Sequence, residues 1–169
     1  RHPAQALKEW GRRYWDNGGW GQRFAMWLAS DDLGPYGSFG NGAAMRVAPA
    51  GLLASSVDEA IAFARKVTEV THDHPEGLKG AEATALAVFL ARQRVTPANI
   101  RFAIAERYDY DLERTPDEIR PDYRFNETCQ ETVPQALVCA LTATSYKDAI
   151  RNAISIGGDS DTVAAIAGG

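Results

Sequence analysis

The sequence predicts an all-α, orthogonally packed multi-helix domain, and three observations lead to that prediction. Apolar residues recur at intervals of three and four along most of the chain, the period of a helix with one buried face. N-cap residues followed by proline, or by an acidic residue three positions later, precede several of these segments. Strand-like alternation is hard to find. With 169 residues and 45% hydrophobic content, we expect residues 1–169 to form one domain around one core.

The first two helices are expected at residues 3–14 and 20–29, separated by a break at Asn17-Gly18-Gly19. A third begins after Ser56, which with Glu59 forms a capping box. Its apolar stripe consists of Val57, Ala60, Ile61, Ala64, Val67 and Thr71.

The segment at residues 83–90 is apolar on every side, which predicts a central helix surrounded by others. Thr96-Pro97 and Thr115-Pro116 each place an N-cap before proline, opening one longer helix and one shorter helix. Ser145 with Asp148 caps a further helix. The apolar residues of that helix are predicted to face one way: Tyr146, Ala149, Ile150, Ala153 and Ile154.

Composition narrows the classes of partner. The 18 basic and 22 acidic residues give a net charge of -4, and no basic run with interleaved aromatics occurs, so we expect no nucleic acid binding. No apolar stretch approaches the roughly 18 residues of a membrane span, and no signal peptide is visible, so we expect a cytoplasmic protein without membrane contact. Cys129 and Cys139 lie in one predicted helix roughly 15 Å apart, too far for a disulfide, and are predicted to be buried, reduced thiols.

The two ends suggest a piece of a longer protein. The first residue is Arg1 rather than Met, and Ala167-Gly168-Gly169 interrupts a helical pattern without a stop signal. We therefore expect truncation at both ends.

Residues 157–162, Gly-Gly-Asp-Ser-Asp-Thr, carry the most distinctive chemistry. The carboxylates of Asp159 and Asp161 are hard oxygen ligands that Mg²⁺, Mn²⁺ or Ca²⁺ prefer, and the Thr162 hydroxyl can add a third oxygen. Two carboxylates this close repel each other unless they share a cation, a proton or hydrogen-bond donors. The alternative without a ligand is a helix N-cap in which Asp161 or Ser160 satisfies backbone donors.

A second alternative is phosphatase chemistry. Asp159, Asp161 and Val163 match the DxDx[TV] pattern of haloacid-dehalogenase-like phosphatases, in which the first aspartate is the nucleophile. That pattern ends a buried strand near the start of an α/β domain, whereas here it follows a helical segment near the last residue. The cation site is therefore the preferred interpretation.

Residues 36–46 form a glycine-rich segment that leads into a predicted helix. Such a loop can present backbone N–H groups to a phosphate, but on its own pattern a turn between helices is favoured.

Two histidines, His72 and His74, flank Asp73, and imidazole suits Zn²⁺ or Ni²⁺. The only other histidine is His2, and no Cys or His cluster has zinc spacing. A helix C-terminus, whose dipole favours histidine, explains the pair equally well. We expect one histidine to contact a ligand and no zinc site.

Four segments in order, residues 38–51, 71–88, 127–141 and 148–169, resemble the ADP-ribosylglycohydrolase family over nearly the whole chain. The resemblance implies an all-α fold around a two-metal Mg²⁺ or Mn²⁺ centre. Its activity would be hydrolysis of the glycosidic bond joining ADP-ribose to a protein side chain or small molecule, through an oxocarbenium-like transition state. The residues that match family metal ligands are Asp159, Asp161 and Thr162. The residues that match the substrate cleft are Ser38, Phe39, Gly40, Asn41 and His72.

The resemblance also implies what this sequence lacks. The family's other metal ligands lie in a Thr-Asp-Asp segment, and a glutamate-bearing loop precedes it; we expect these, with the catalytic residues, upstream of Arg1. Asp31-Asp32 occupies a variable connection and is interpreted as a surface turn or helix cap. Met45 and Arg46 are expected to anchor the glycine-rich loop. The alternative is a catalytically inactive ADP-ribose-binding or structural, crystallin-like member.

Overall fold

The computed structural model describes residues 2–32 and 34–169, and the described chain is built from helices and turns. The ten α-helices of the described residues are α1 (Pro3–Arg13), α2 (Gln22–Ala29), α3 (Ala48–Leu53), α4 (Val57–Thr68), α5 (Pro75–Arg92), α6 (Pro97–Tyr108), α7 (Pro116–Ile119), α8 (Cys129–Leu141), α9 (Tyr146–Ser155) and α10 (Ser160–Ala167). Two 3₁₀ turns occupy Trp15–Asn17 and Asn41–Ala43. The all-α, multi-helix prediction is confirmed.

Local hydrogen bonds explain where the helices begin. The side chains of Ser56, Thr96 and Ser145 each accept a hydrogen bond from a backbone N–H three residues on. A complete capping box is present at α7, where Thr115 and Glu118 satisfy each other's backbone N–H groups. The capping box predicted before α4 is incomplete, because the Glu59 carboxylate accepts from the N–H of Ser55 rather than Ser56.

Helix α5 lies at the centre of the main core, as its uniformly apolar sequence predicts. It contacts α3, α4, α6 and α8, and every residue from Gly80 to Phe89 is buried. Glycines allow the closest crossings: a Cβ at Gly80 would lie 2.8 Å from the Cys129 Sγ of α8. Cys129 and Cys139 are buried free thiols in α8, as predicted, and burial raises the pKa of each to about 12.

A smaller apolar cluster joins α1 to α2. Two basic side chains of α1 also donate hydrogen bonds to carbonyl groups at the C-terminal end of α2. Lys8 is 5% exposed, and its Nζ donates to the carbonyls of Trp27 and Ser30. Arg12 Nε donates to the Leu28 carbonyl at 2.7 Å. These bonds satisfy carbonyl groups that the last turn of a helix leaves without partners.

Helix α9 differs from its prediction. Ala149 and Ala153 are buried, but Tyr146 is 72% exposed and Ile154 is 56% exposed. The helix packs on α8 and α10 through its small residues, which leaves the edges of the apolar stripe at the surface. In the described part of the chain, no helix combines the length and apolar character needed to cross a bilayer.

Candidate active site

The Gly157-Gly158 turn sets the position of the Asp159 and Asp161 carboxylates. The two glycines have φ values of 80° and 69°, a conformation that other residues rarely adopt, and they join α9 to α10. The ring of Tyr123 lies against Gly158 and leaves no room for a side chain there. Asp159 is therefore the N-cap residue of α10, and Asp161 lies in its first turn.

This geometry contradicts the phosphatase interpretation. The nucleophilic aspartate of that pattern ends a buried strand, whereas Asp159 separates two helices, and no strand occurs among the described residues. The helix-cap alternative is not supported either. Within the residues described, the carboxylates of Asp159 and Asp161 accept no hydrogen bond from a backbone N–H of α10, and the Ser160 hydroxyl donates instead to the Gly158 carbonyl at 3.4 Å.

The Asp159 carboxylate is held by Asn41 from the glycine-rich loop. Asn41 Nδ2 donates to Asp159 Oδ2 at 2.7 Å, across 118 residues of sequence. The same nitrogen lies 3.1 Å from the Thr132 Oγ1 of α8. Asn41 is only 6% exposed and Thr132 is buried, whereas Asp159 is half-buried at the edge of the site. Two segments predicted separately as functional therefore meet at one hydrogen bond.

The local electrostatics suit a cation. Burial raises the pKa of the Asp159 carboxyl, the Asn41 hydrogen bond opposes that rise, and the neighbouring Asp161 adds to it. Asp161 is exposed, whereas Thr162 is buried with its Oγ1 3.6 Å from Met45 Sδ. Two carboxylates and one hydroxyl thus lie on a single turn beside the loop, with oxygen donors of the kind that Mg²⁺ and Mn²⁺ prefer.

The glycine-rich loop is a turn whose N–H groups are largely used within the protein. Four backbone N–H donors along it illustrate this. They are Gly37 N to Asp73 Oδ1 (2.8 Å), Ser38 N to Thr71 O (3.4 Å), Gly40 N to Ser38 Oγ (3.2 Å) and Asn41 N to Glu127 O (2.7 Å). The segment continues into a 3₁₀ turn, not directly into an α-helix. The structure therefore favours the turn interpretation over a phosphate-binding nest.

His72 lies behind this loop as a neutral imidazole. It is 5% exposed, and burial together with the Arg46 guanidinium lowers its pKa to about 3. Its Nδ1 lies 2.8 Å from Thr71 Oγ1 and 3.4 Å from the Arg46 guanidinium. Arg46 can only donate, so we assign Nδ1 as the acceptor and place the proton on Nε2. Nε2 faces the loop, because a Cβ at Gly42 would lie 3.5 Å from it.

Acidification is expected to destabilise the protein through His72. In the unfolded chain the imidazole has its ordinary pKa of 6.5, whereas in the folded protein its pKa is about 3. Between these pH values the unfolded state therefore binds more protons than the folded state. Lowering the pH from 7.5 to 5 should remove about 2 kcal/mol of unfolding free energy through this group. Urea unfolding of wild type and His72→Gln at both pH values measures it. An equal loss in both proteins would contradict the prediction.

His74 has a separate role from His72. It is the N-cap residue of α5, where its Nδ1 accepts from the N–H of Glu76, and its ring lies 5.1 Å from that of Phe39 at the rim of the loop. The histidine pair is therefore not explained by a helix C-terminus. Among the described residues, no group of three or more His, Cys, Asp or Glu side chains is placed to hold a metal.

Arg46 and the acidic pair follow the predictions, whereas the anchoring role of Met45 stays a prediction. Arg46 donates to Thr71 Oγ1 at 2.6 Å and so links the loop to the connection between α4 and α5. Met45 is 47% exposed and touches Thr162. Asp31 is exposed, and Asp32 Oδ1 accepts from the N–H of Gly34 in a surface turn. Leu33, between Asp32 and Gly34, lies outside the described residues.

Three further residues shape this site, and no role is predicted for them from the sequence: Thr132, Tyr123 and Gly77. A Cβ at Gly77 would lie 2.7 Å from the Ser38 carbonyl, so this glycine lets the loop approach α5. A glycine within the first turn of a helix was a signal available in the sequence. Thr132 and Tyr123 carry no local signal, because their partners are distant in the chain. A cavity of about 580 Å³ lies beside α5 and α8, but none of the predicted site residues lines it.

Comparison with known proteins gives a consistent result. The chain is 29% identical to ADP-ribosylhydrolase ARH3 of Mus musculus over 177 residues, covering 78% of this chain and 48% of that protein. It is 28% identical to ADP-ribosylhydrolase ARH3 of Homo sapiens, covering 78% of this chain and 49% of that protein. The chain thus spans about half the length of these relatives.

A solved structure shares the fold. The chain superimposes on an ADP-ribosylglycohydrolase-related protein complex with a TM-score of 0.70 and 23% sequence identity, covering 98% of this chain and 65% of that one. The sequence model of ADP-ribosylglycohydrolase matches residues 2–169. Because this match covers nearly the whole chain, and the fold and the Asp159 turn agree with it, the chain belongs to the ADP-ribosylglycohydrolase family.

Proposed function

We propose that the protein carrying this chain hydrolyses the glycosidic bond between ADP-ribose and a protein side chain or small molecule, with Mg²⁺ or Mn²⁺ as its cofactor. The observation that carries the proposal is the hydrogen bond of 2.7 Å between Asn41 and Asp159. It joins the loop expected to line the ADP-ribose cleft to the carboxylates expected to bind metal. Family membership supports the class of reaction.

The residues present fit one side of a divalent cation site. Asp159, Asp161 and Thr162 would hold the ion through two carboxylates and a hydroxyl. Burial and the adjacent carboxylate disfavour the charged form of Asp159, and a cation would relieve both effects. A bound divalent ion would supply Lewis acidity and charge stabilisation for hydrolysis. The described residues contain no third carboxylate, histidine or cysteine at this place, so further ligands would come from elsewhere in the protein.

The chain's own residues orient the parts of the site. Asn41 holds Asp159 in one position, and Ser38, Phe39 and Gly40 form the adjoining rim. His72 stays neutral at physiological pH and directs its Nε2 toward the loop. A neutral donor beneath the loop can hold a polar ligand group without adding charge near the carboxylates.

Release of free ADP-ribose from an ADP-ribosylated protein tests the proposal. The protein carrying this chain should release it with Mn²⁺ or Mg²⁺ and stop when EDTA is added. Asp161→Ala is expected to lower kcat by about 100-fold or more, the scale for losing a group that supports transition-state charge. Asp58→Ala, which changes an exposed aspartate of α4, is the matched control and should leave kcat unchanged.

Two outcomes contradict the proposal. Full activity of Asp161→Ala would exclude the carboxylates from the reaction. Binding of ADP-ribose by calorimetry with no turnover at any divalent cation concentration would instead support a catalytically inactive binding protein.

A further inference from the structure

We propose that Thr132 of α8 is a positioning residue for the Asp159 carboxylate and acts by fixing the side-chain amide of Asn41. The role of the site in metal binding rests on the proposed function, whereas the positioning of Asp159 rests on a set of hydrogen bonds. Nothing in the Gly-Gly-Asp-Ser-Asp-Thr motif or the glycine-rich loop points to this residue. It lies 91 residues from Asn41 in sequence.

The direction of each bond follows from its partner. The Thr132 hydroxyl donates to the backbone carbonyl of Asn126 at 3.2 Å, which uses its single proton. Its lone pair is therefore left to accept from Asn41 Nδ2 at 3.1 Å. The amide has two N–H bonds, and the second is directed to Asp159 Oδ2 at 2.7 Å. Thr132 thereby binds the other N–H of the Asn41 amide and fixes the plane in which the amide meets the carboxylate.

Burial makes the arrangement sensitive to a single hydroxyl. Thr132 is 0% exposed and Asn41 is 6% exposed, so a lost acceptor is not easily replaced by solvent. Valine has nearly the shape of threonine but no acceptor. In Thr132→Val, the amide N–H that is directed to the hydroxyl loses this acceptor, and only the Asn126 carbonyl at 3.4 Å remains for it. The amide plane is then no longer fixed against the carboxylate.

The test compares Thr132→Val, Thr132→Ser and Thr84→Val in the protein that carries this chain. Thr84 is the matched control, because it is a buried helical threonine whose hydroxyl donates to the Gly80 carbonyl at 2.9 Å, away from the site. One readout is Mn²⁺ affinity by calorimetry. The other, free of metal, is hydrogen exchange of the Asn41 side-chain amide by NMR, assigned by its disappearance in Asn41→Ala.

Thr132→Val is expected to weaken Mn²⁺ binding by about 10-fold or more, the usual scale for a group that orients a metal ligand. The same variant should speed amide exchange roughly tenfold. Thr132→Ser, which keeps the hydroxyl, should have the wild-type Mn²⁺ affinity and amide exchange rate, and Thr84→Val should change neither. In an Asn41→Ala background, Thr132→Val should have no further effect on Mn²⁺ affinity.

Unchanged amide exchange in Thr132→Val overturns the inference. Equal losses in Thr132→Val and Thr84→Val also overturn it, because they would show a general effect of core substitution. If the wild-type protein binds no Mn²⁺, the metal part of the proposed function fails. The exchange measurement then decides the role of Thr132 by itself.

Discussion

Replacing Asn41 with aspartate is expected to lower the free energy of unfolding by about 3 kcal/mol at pH 8, the scale for breaking a buried polar network. The change is nearly isosteric, but it removes the donor that lies 2.7 Å from Asp159 and places a second carboxylate there. Thr132 would also have to give up its bond to Asn126 in order to donate to the new group. Urea unfolding measures the loss.

The pH dependence identifies the cause. Two facing carboxylates raise the pKa of the pair, so the folded variant binds more protons than the unfolded chain above pH 4. Its stability therefore falls as the pH rises, and the deficit relative to wild type should be larger at pH 8 than at pH 5. Asn99→Asp introduces the same charge at an exposed position of α6 and serves as the control. If the two variants lose equal stability at both pH values, the Asn41 to Asp159 contact is not important for folding.

Gly51→Ala is expected to destabilise the protein by about 2–3 kcal/mol, although alanine is favoured over glycine inside a helix by about 1 kcal/mol. Gly51 lies where α3 crosses α5. A Cβ there would lie 2.8 Å from the Cβ of Val88 and 2.9 Å from the backbone nitrogen of Phe89, and would also contact the Ala85 carbonyl. Backbone atoms cannot rotate away as a side chain can, so the two helices must separate.

Thermal and urea unfolding of Gly51→Ala and Gly21→Ala provide the comparison. Gly21 precedes α2, and a Cβ there would have no neighbour within 4 Å. Gly21 is the N-cap residue of α2, where alanine is disfavoured relative to glycine, so Gly21→Ala should lower stability by no more than about 1 kcal/mol. Because helix propensity and packing predict opposite signs at Gly51, an increase in stability would show that α3 can move away from α5 at little cost.

The elements that could be predicted are those with local causes. The capping box of Thr115 and Glu118 spans three residues, so its pattern in the sequence is the interaction itself. The central position of α5 follows from its apolar residues on every side, which only a surrounding protein can bury. The apolar stripe of α9 has the helical period that the sequence predicts, but the exposure of Tyr146 and Ile154 depends on how closely α8 and α10 approach.

The interpretation of polar segments from sequence was less complete. The glycine-rich loop has the composition of a phosphate site, yet distant carbonyls, including that of Glu127, accept its N–H groups. His72 has the residue type of a metal ligand, yet its ring is buried and its Nδ1 accepts from the guanidinium of Arg46. In both cases the deciding partner lies elsewhere in the chain, and residue type alone does not reveal it.

The sequence by itself determined the helical architecture, the family and the chemical character of the Asp159 turn, because these depend on local periodicity and on which functional groups are present. Only the tertiary structure decided that Asn41 binds Asp159, that Thr132 orients Asn41 and that Gly77 admits the loop beside α5. These contacts join residues between 39 and 118 positions apart. Hydrogen bonds and close approaches act over a few ångströms, so they are set by how the helices pack, which no local pattern in the chain records.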